Sequence, residues 1–456
     1  MEQLVASLLD RFGTRLVTSA SARAPYAQSE GYHRHDAPAL VAQPVSIDEV
    51  QMLVRAAATN GFSVIGYGAG TSLEGNAAAI NDQTLCIDFS RMDRVLDVSA
   101  EDLLCTVEPG VTREALNAEL RATGLFFPVD PGANASLGGM ISTRASGTTT
   151  VRYGSIRDNV LGLKVVTADG KLVETGTRAR KSASGLDLTH LFTGAEGTLG
   201  LIVEATLRLH GQPENILAAT WDFNSIGGAV DTVIATIQSG IPIARMELLD
   251  EVAICACNRQ SGLGLPETPM LFLEFHGSAA AVAEQRDMVR AIGAEFGGGT
   301  MHDAVAVEDR NALWKARHQA LWAAKAMIPD SVAWITDVCV PISQLSVSIG
   351  QAKAAIDASG LCAPIVGHVG DGNFHVLFIL PPDDKPSWDK AAAINEAMVA
   401  HALSVGGTCT GEHGIGLGKR AAMLREHGRP AVDMMRRIKD ALDPTGLFNP
   451  GKIFLD

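Results

Sequence analysis

The chain has 456 residues, 46% hydrophobic and 19% charged, with a formal charge of −14 that no basic block offsets. That length exceeds one ordinary core and points to two or three domains, and the acidity argues against a nucleic-acid partner. No apolar run reaches the eighteen residues of a membrane span, and Met1-Glu2-Gln3-Leu4 lacks a basic n-region, so a cytoplasmic protein is expected, with peripheral membrane contact left open. The first readable element is a helix over residues 46 to 61: Ser46-Ile47-Asp48-Glu49 has the spacing of a capping box, apolar positions recur at Val50, Leu53, Val54 and Ala57, and Asn60-Gly61 ends it. A strand, Phe62 to Ile65, then runs into the glycine-rich loop Gly66 to Asn76. The pattern repeats as strand Leu103 to Val107, turn Pro109-Gly110 and helix Thr112 to Ala122, which suggests two α+β lobes in one early domain. From Val165 to Leu209 the chain is strand-like, with a hairpin signal at Ala168-Asp169-Gly170. After the break at Pro213-Glu214, helical segments (279 to 292, 309 to 326, 343 to 358) alternate with strands.

The seven cysteines are scattered and make no C-x-x-C, which leaves no zinc ribbon or iron-sulfur cluster; buried free thiols are expected. The first glycine-rich loop fails both registers of G-x-G-x-x-G, because Thr71 or Leu73 stands where the third glycine belongs, and no P-loop occurs. What remains is a nest of amides with the hydroxyls of Thr71 and Ser72, chemically suited to a diphosphate. A second small-residue segment runs from Asp130 through Met140 to Ala145-Ser146-Gly147 and Arg152-Tyr153-Gly154. Either loop alone would be a surface turn; two in one domain favour a large nucleotide cofactor.

Downstream, Gly367-His368-Val369-Gly370-Asp371-Gly372-Asn373-Phe374-His375 contains the Asp-Gly of a two-residue hairpin, which would set His368 opposite His375. Glu412 would complete a two-histidine, one-carboxylate metal set, with His413 left as a base. The alternative is a glycine-rich turn with two unrelated polar histidines.

Taken together, Gly68 to Ser72, Pro131 to Gly139, Arg152-Tyr153-Gly154, Thr193 to Gly200 and the tail Asp443 to Lys452 resemble the FAD-binding fold of the vanillyl-alcohol oxidase and p-cresol methylhydroxylase type. Within it, the His368 and Glu412 motifs resemble the FAD- and metal-dependent D-2-hydroxy acid dehydrogenases, nearest to their cytochrome-linked D-lactate branch. The resemblance implies an α+β protein: a two-lobed FAD-binding domain over 1–212 (core from about 37), a substrate or cap domain with an antiparallel sheet over 213–410, and a segment 411–456 returning to the FAD domain. It implies non-covalent FAD, since Thr71 and Ser72 stand where some relatives carry a linking histidine. FAD would be lined by Gly68, Ala69, Gly70, Thr71, Ser72, Pro131, Gly132, Ala133, Ser136, Gly138, Gly139, Ile141, Ser146, Gly147, Tyr153, Glu196, Gly197, Ile202 and Asn449. Arg144 departs from the family pattern and is left out.

The same resemblance makes His368, His375 and Glu412 ligands of a divalent ion, Zn²⁺ or Mn²⁺, makes His413 the catalytic base, and gives the substrate carboxylate to Arg317. Apolar Leu321 and Ile335, where users of dicarboxylates carry polar groups, favour a short monocarboxylate such as D-lactate; Trp322 and Trp334 either narrow the pocket or belong to the core. Glycolate or D-2-hydroxyglutarate as substrate, and a flavin relay subunit, are the alternatives. Electrons would pass to a separate acceptor, a cytochrome c, a quinone or an electron-transfer flavoprotein, and a homodimer is compatible with all of this.

Overall fold

The computed structural model describes residues 2–455, and the chain divides into two compact units. The first comprises residues 1–145, 155–212 and 412–456; the second comprises 146–154 and 213–411.

The first unit holds two principal sheets. Strands β1 (Leu16–Val17), β2 (Leu40–Ala42), β3 (Ser63–Tyr67) and β4 (Thr84–Asp88) form one, ordered β1-β2-β4-β3, with β2 and β3 parallel to β4. The helix Ile47–Asn60 connects β2 to β3, as a parallel crossover requires. Its start follows the sequence signal in part. Ser46 caps the amide of Glu49, but the Glu49 carboxylate takes the amide of Val45 and the guanidinium of Arg15 instead of closing the box on Ser46. Gly61, left-handed at φ 71°, ends the helix.

The other sheet is antiparallel and comprises β5 (Val95–Ser99), β6 (Leu104–Val107), β8 (Val160–Val166), β9 (Leu172–Gly176) and β10 (Leu201–Arg208), ordered β5-β6-β10-β8-β9; β7 (Leu125–Phe126) and β11 (His210–Gly211) make a two-residue ribbon. Each sheet has its own apolar core, around Leu40, Val54, Leu85 and Phe448 in one case and around Val107, Leu137, Ile141 and Leu207 in the other. The C-terminal tail is part of this unit. Val64 donates to Leu447 and accepts from Asn449, so the tail lies as a parallel bridge beside β3.

The second unit is built on one antiparallel sheet of β12 (Asn215–Phe223), β13 (Arg245–Leu249), β14 (Met270–Gly277), β15 (Gly298–Ala304), β16 (Val332–Ile335), β17 (Val338–Cys339), β18 (Ile365–Gly367) and β19 (Asn373–Leu380), ordered β15-β12-β14-β13-β18-β19-β16, with β17 also on β19. β19 is buried along its whole length, which accounts for its unbroken apolar run.

The expected two-residue hairpin is not formed. β18 pairs with β19 in a register that places Val366 opposite His375, and residues 368 to 372 make a longer loop with a 3₁₀ turn at Val369–Asp371 and left-handed Gly372. The physical reason lies beside the loop: Asn373 spends its side-chain amide on Asp337 and on the Val338 carbonyl, and the amide of Val340 takes the Gly372 carbonyl, so the turn is held by β17 and its neighbours rather than by its own Asp-Gly. Among the described residues all seven cysteines are free thiols, and no helix is long and apolar enough to cross a membrane.

Candidate active site

In the second unit the two histidines meet despite the changed register. His368 and His375 are 7% and 5% exposed, and their rings pack edge to face with centroids 5.6 Å apart. A ring nitrogen of each lies within 4.8 Å of the other, close enough for both to reach one ion. Both rings are fixed from behind. His375 Nδ1 is 2.9 Å from the Thr336 carbonyl, to which it can only donate, so its proton sits on Nδ1 and its lone pair on Nε2. His368 Nδ1 lies 2.8 and 2.9 Å from the two oxygens of Glu247, which sets the same tautomer. Carboxylate or carbonyl behind imidazole is the usual support of a histidine that ligates a metal. The donor chemistry therefore fits a divalent ion.

Glu247 was invisible in the sequence. On β13 it is 1% exposed, and the β13–β18 register, Leu248 opposite Gly367 and Leu249 opposite Val366, carries it alongside His368. Arg317, in the last turn of the helix Val307–His318, meets it from the other side, with Nη2 2.6 Å from Glu247 Oε2. Arg317 Nε is buried and has no hydrogen-bond partner. The guanidinium is thus held by charge against Glu247 while its Nε donor is not used by the protein. Asp337 adds a second buried carboxylate, 3.8 Å from His375 Nδ1, and accepts from Asn373 and from Thr410 Oγ1. Gly411 ends this unit, and Glu412 is the next residue of the chain.

Tyr153 also belongs to the second unit. Its hydroxyl is 2.7 Å from His276 Nδ1, and His276 Nε2 is 2.7 Å from Glu274. Burial raises the Tyr153 pKa, so the phenol stays protonated; burial pushes Glu274 the same way, but Arg245 and His276 more than offset it and hold that carboxyl below its ordinary value. Ile335 is buried on β16; Trp322 is half exposed beside Lys325, and Trp334 stacks on Trp388.

In the first unit the loop after β3 meets the second small-residue segment. A side chain at Gly68 would place its Cβ 2.1 Å from Ser136 Oγ, so glycine is what lets the two loops touch. Ser136 Oγ is itself buried without a partner, and among the described residues the amides of Ala69, Gly70, Thr71 and Ser72 meet no acceptor. Amides and a hydroxyl without protein partners on two touching loops fit the diphosphate of FAD. Ile141 and Ile202 have their side chains in the apolar core, so a cofactor would meet them through backbone.

The Glu196 carboxylate is turned to its own unit: it accepts from Asn76 Nδ2 and from the amides of Ile415 and Gly416, just beyond Glu412 and His413. Burial raises its pKa while those donors oppose the rise. Asn449 Nδ2 donates to the carbonyls of Asn76 and Glu196. Arg144 is left-handed at φ 57° and donates to the Thr193 carbonyl, a structural use that suits its departure from the family pattern.

Two family models match this chain: an FAD binding domain over residues 38–176, and the C-terminal domain of FAD linked oxidases over 212–453. The chain belongs to the FAD-linked oxidase family. Among curated relatives of this family, a protein of Danio rerio named "Probable D-lactate dehydrogenase, mitochondrial" is 47% identical over 99% of this chain and 92% of its own length. The "D-lactate dehydrogenase [cytochrome], mitochondrial" of Arabidopsis thaliana is 45% identical over 91% of this chain and 73% of its own. Among solved structures, 4-ethylphenol oxidase from Gulosibacter chungangensis superposes with a TM-score of 0.81 over 99% of this chain and 97% of its own at 17% identity, which shows the fold: an FAD-binding domain of the vanillyl-alcohol oxidase and p-cresol methylhydroxylase type with a second α+β domain. The α+β architecture and the FAD-binding family expected from the motifs are therefore correct.

The cytoplasmic location expected from hydropathy and the first residues is not. Both relatives carry the word mitochondrial in their names, which points to that compartment. Composition and hydropathy report on solubility and partners, and a mitochondrial protein and a cytosolic one can meet the same physical demands.

Proposed function

We propose that this FAD-linked oxidoreductase oxidises D-lactate to pyruvate and hands the electrons to a cytochrome. The observation that carries the substrate is the near full-length identity to relatives named for D-lactate; Leu321 and Ile335, apolar where a second carboxylate would need polar partners, support a short monocarboxylate.

FAD would be held by the amides of Gly68 to Ser72, by Ser136 and by the loops around Glu196 and Asn449, and when bound it supplies the acceptor for the C2 hydrogen and its electron pair. His368, His375 and Glu412 would hold a divalent ion, whose charge makes the substrate hydroxyl easier to deprotonate. The remaining work falls to side chains. Arg317 binds the carboxylate through the donors that Glu247 leaves open, which fixes one end of a three-carbon substrate. His413 takes the hydroxyl proton on an imidazole nitrogen as the C2 hydrogen departs. Thr336 and Glu247, by keeping the Nδ1 protons of His375 and His368 in place, keep both Nε2 lone pairs available for the ion. Carboxylate, hydroxyl and C2 hydrogen are then all fixed, and only one enantiomer satisfies the three at once.

Anaerobic mixing tests this. D-lactate should bleach the flavin and L-lactate should not. Protein stripped with a chelator should keep its yellow colour and lose the bleaching, and Zn²⁺ or Mn²⁺ should restore it. Full bleaching by protein shown by elemental analysis to be metal-free refutes the metal set, and equal bleaching by both enantiomers refutes the substrate geometry.

A further inference from the structure

Glu247 joins two groups that the proposed function keeps separate. Its carboxylate is 1% exposed, both oxygens face His368 Nδ1 at 2.8 and 2.9 Å, and Oε2 forms an ion pair with Arg317 Nη2 at 2.6 Å. We infer that Glu247 is a positioning residue shared by the metal-binding and carboxylate-binding halves of the site, so that one buried carboxylate sets both the lone pair of His368 and the angle of the Arg317 fork. The inference rests on the roles given above to His368 and Arg317.

Three physical points support it. A buried carboxylate needs an opposite charge, and Arg317, itself only 7% exposed, is the cation that the structure sets against it. A neutral imidazole bonded to that carboxylate through Nδ1–H is a better electron donor at Nε2 and cannot turn its other edge to an ion. Finally, the Arg317 guanidinium is planar and rigid, so the ion pair that anchors Nη2 beside Oε2 restrains the whole fork, including Nε, which is left without a protein partner. The strand register makes the arrangement stiff. β13 delivers Glu247 to the His368 loop from a ladder buried on both sides, and Trp314, one helical turn before Arg317, packs on Arg245, two residues before Glu247 on the same face of β13.

Glutamine at 247 is the sharp probe, since it keeps the shape, removes the charge and turns one acceptor into a donor. Whichever way the amide faces, its NH₂ comes up against His368 Nδ1–H, and loss of the charge removes the ion pair with Arg317, so both halves of the site are disturbed. For Glu247→Gln loaded with FAD, competition against a chromogenic chelator should show metal affinity weakened by about 10- to 100-fold, the usual effect of losing a group behind a ligand. Steady-state kinetics at saturating metal should show KM for D-lactate raised at least about tenfold, the scale of losing one oriented charged contact. Arg317→Lys should raise KM while leaving metal affinity within about twofold, which a general loosening of the domain would not reproduce.

Unchanged metal affinity or unchanged KM in Glu247→Gln overturns the inference. Should that protein not fold, Glu247→Asp decides on the same two measurements: it keeps the charge but is one methylene too short for both partners, so at least one must shift, and neither shifting is equally fatal. A wild-type enzyme that binds no metal and ignores chelators would instead refute the metal reading underneath, a result visible before any variant is made.

Discussion

Gly138 and Gly139 stand side by side in the short helix Leu137–Thr143, and alanine should have opposite effects at the two positions. At Gly138 a new Cβ would sit 2.6 Å from Pro109 Cβ and about as close to that residue's backbone, 3.0 Å from its carbonyl oxygen and 3.1 Å from its Cα. None of these atoms can swing away, because Gly138 N is itself bonded to the Pro109 carbonyl. Overpacking of this kind costs about 1–3 kcal/mol, and a contact against ring and backbone belongs at the upper end. Alanine returns about 1 kcal/mol of helix propensity, leaving Gly138→Ala roughly 2 kcal/mol less stable. At Gly139 the new Cβ meets only Ser136 Oγ, at 3.1 Å, and a hydroxyl can rotate. There the propensity term wins, and Gly139→Ala should be more stable by up to about 1 kcal/mol. Urea unfolding of FAD-depleted protein, following the transition of the first unit, reads both. FAD titration then separates stability from binding, because Gly139 is exposed in the segment proposed to line the cofactor, and its alanine should bind FAD more weakly even while the unloaded protein gains stability. Shifts of the same sign in the two variants would refute the steric account of this helix.

Other outcomes follow from the same geometry. Burial raises Asp250, the cap of the helix Glu251–Ser261, to a pKa of about 7. A raised folded pKa gives stability that is present below the unfolded value near 3.8 and is lost as pH rises through about 7, a change on the order of 4 kcal/mol. Asp250→Asn keeps an oxygen for the Ala253 amide, so the variant should be the more stable protein at pH 8 and lose most of that slope; parallel pH dependences in thermal unfolding would count against it. His413→Ala should retain FAD and metal while flavin reduction slows by about 10²-fold or more, measured by stopped-flow bleaching; rapid reduction with the metal in place would remove His413 from the chemistry.

Much of the first unit was legible because its signals are local. Ser46 and Gly61 mark a helix from within a few residues of it, and Asp169-Gly170 marks the turn between β8 and β9. The glycine-rich loops announced a cofactor because close backbone approach needs small residues whatever the surrounding fold. The second unit was less legible. The Asp371-Gly372 turn read correctly as a turn and incorrectly as a two-residue hairpin, since its length is set by Asn373 reaching Asp337 and Val338. Glu247, Asp337 and the Tyr153–His276 contact carry no local signal at all. Glu247 lies 121 positions from the histidine it supports, and Tyr153 is 123 from its partner, so only the β register brings them together. Glu196 sits in a motif that pointed to the cofactor, yet its carboxylate is committed to the amides of Ile415 and Gly416, a use that depends on a loop 219 residues away.

The tail beside β3 bears on how the protein is made. Val64 is bonded to Leu447 and Asn449, residues nearly four hundred positions later, and Phe448 is a fully buried member of the core around β3. A ribosome working at about 5–20 residues per second delivers that tail roughly 20 to 80 s after β3 has emerged. During that interval the apolar surface waiting for Phe448 and Leu447 has no cover from its own chain, while the second unit, complete at residue 411, can already close. Nascent chains should therefore need a chaperone for the first unit rather than the second, and a nonsense change just before codon 447 should cost the cell the whole protein.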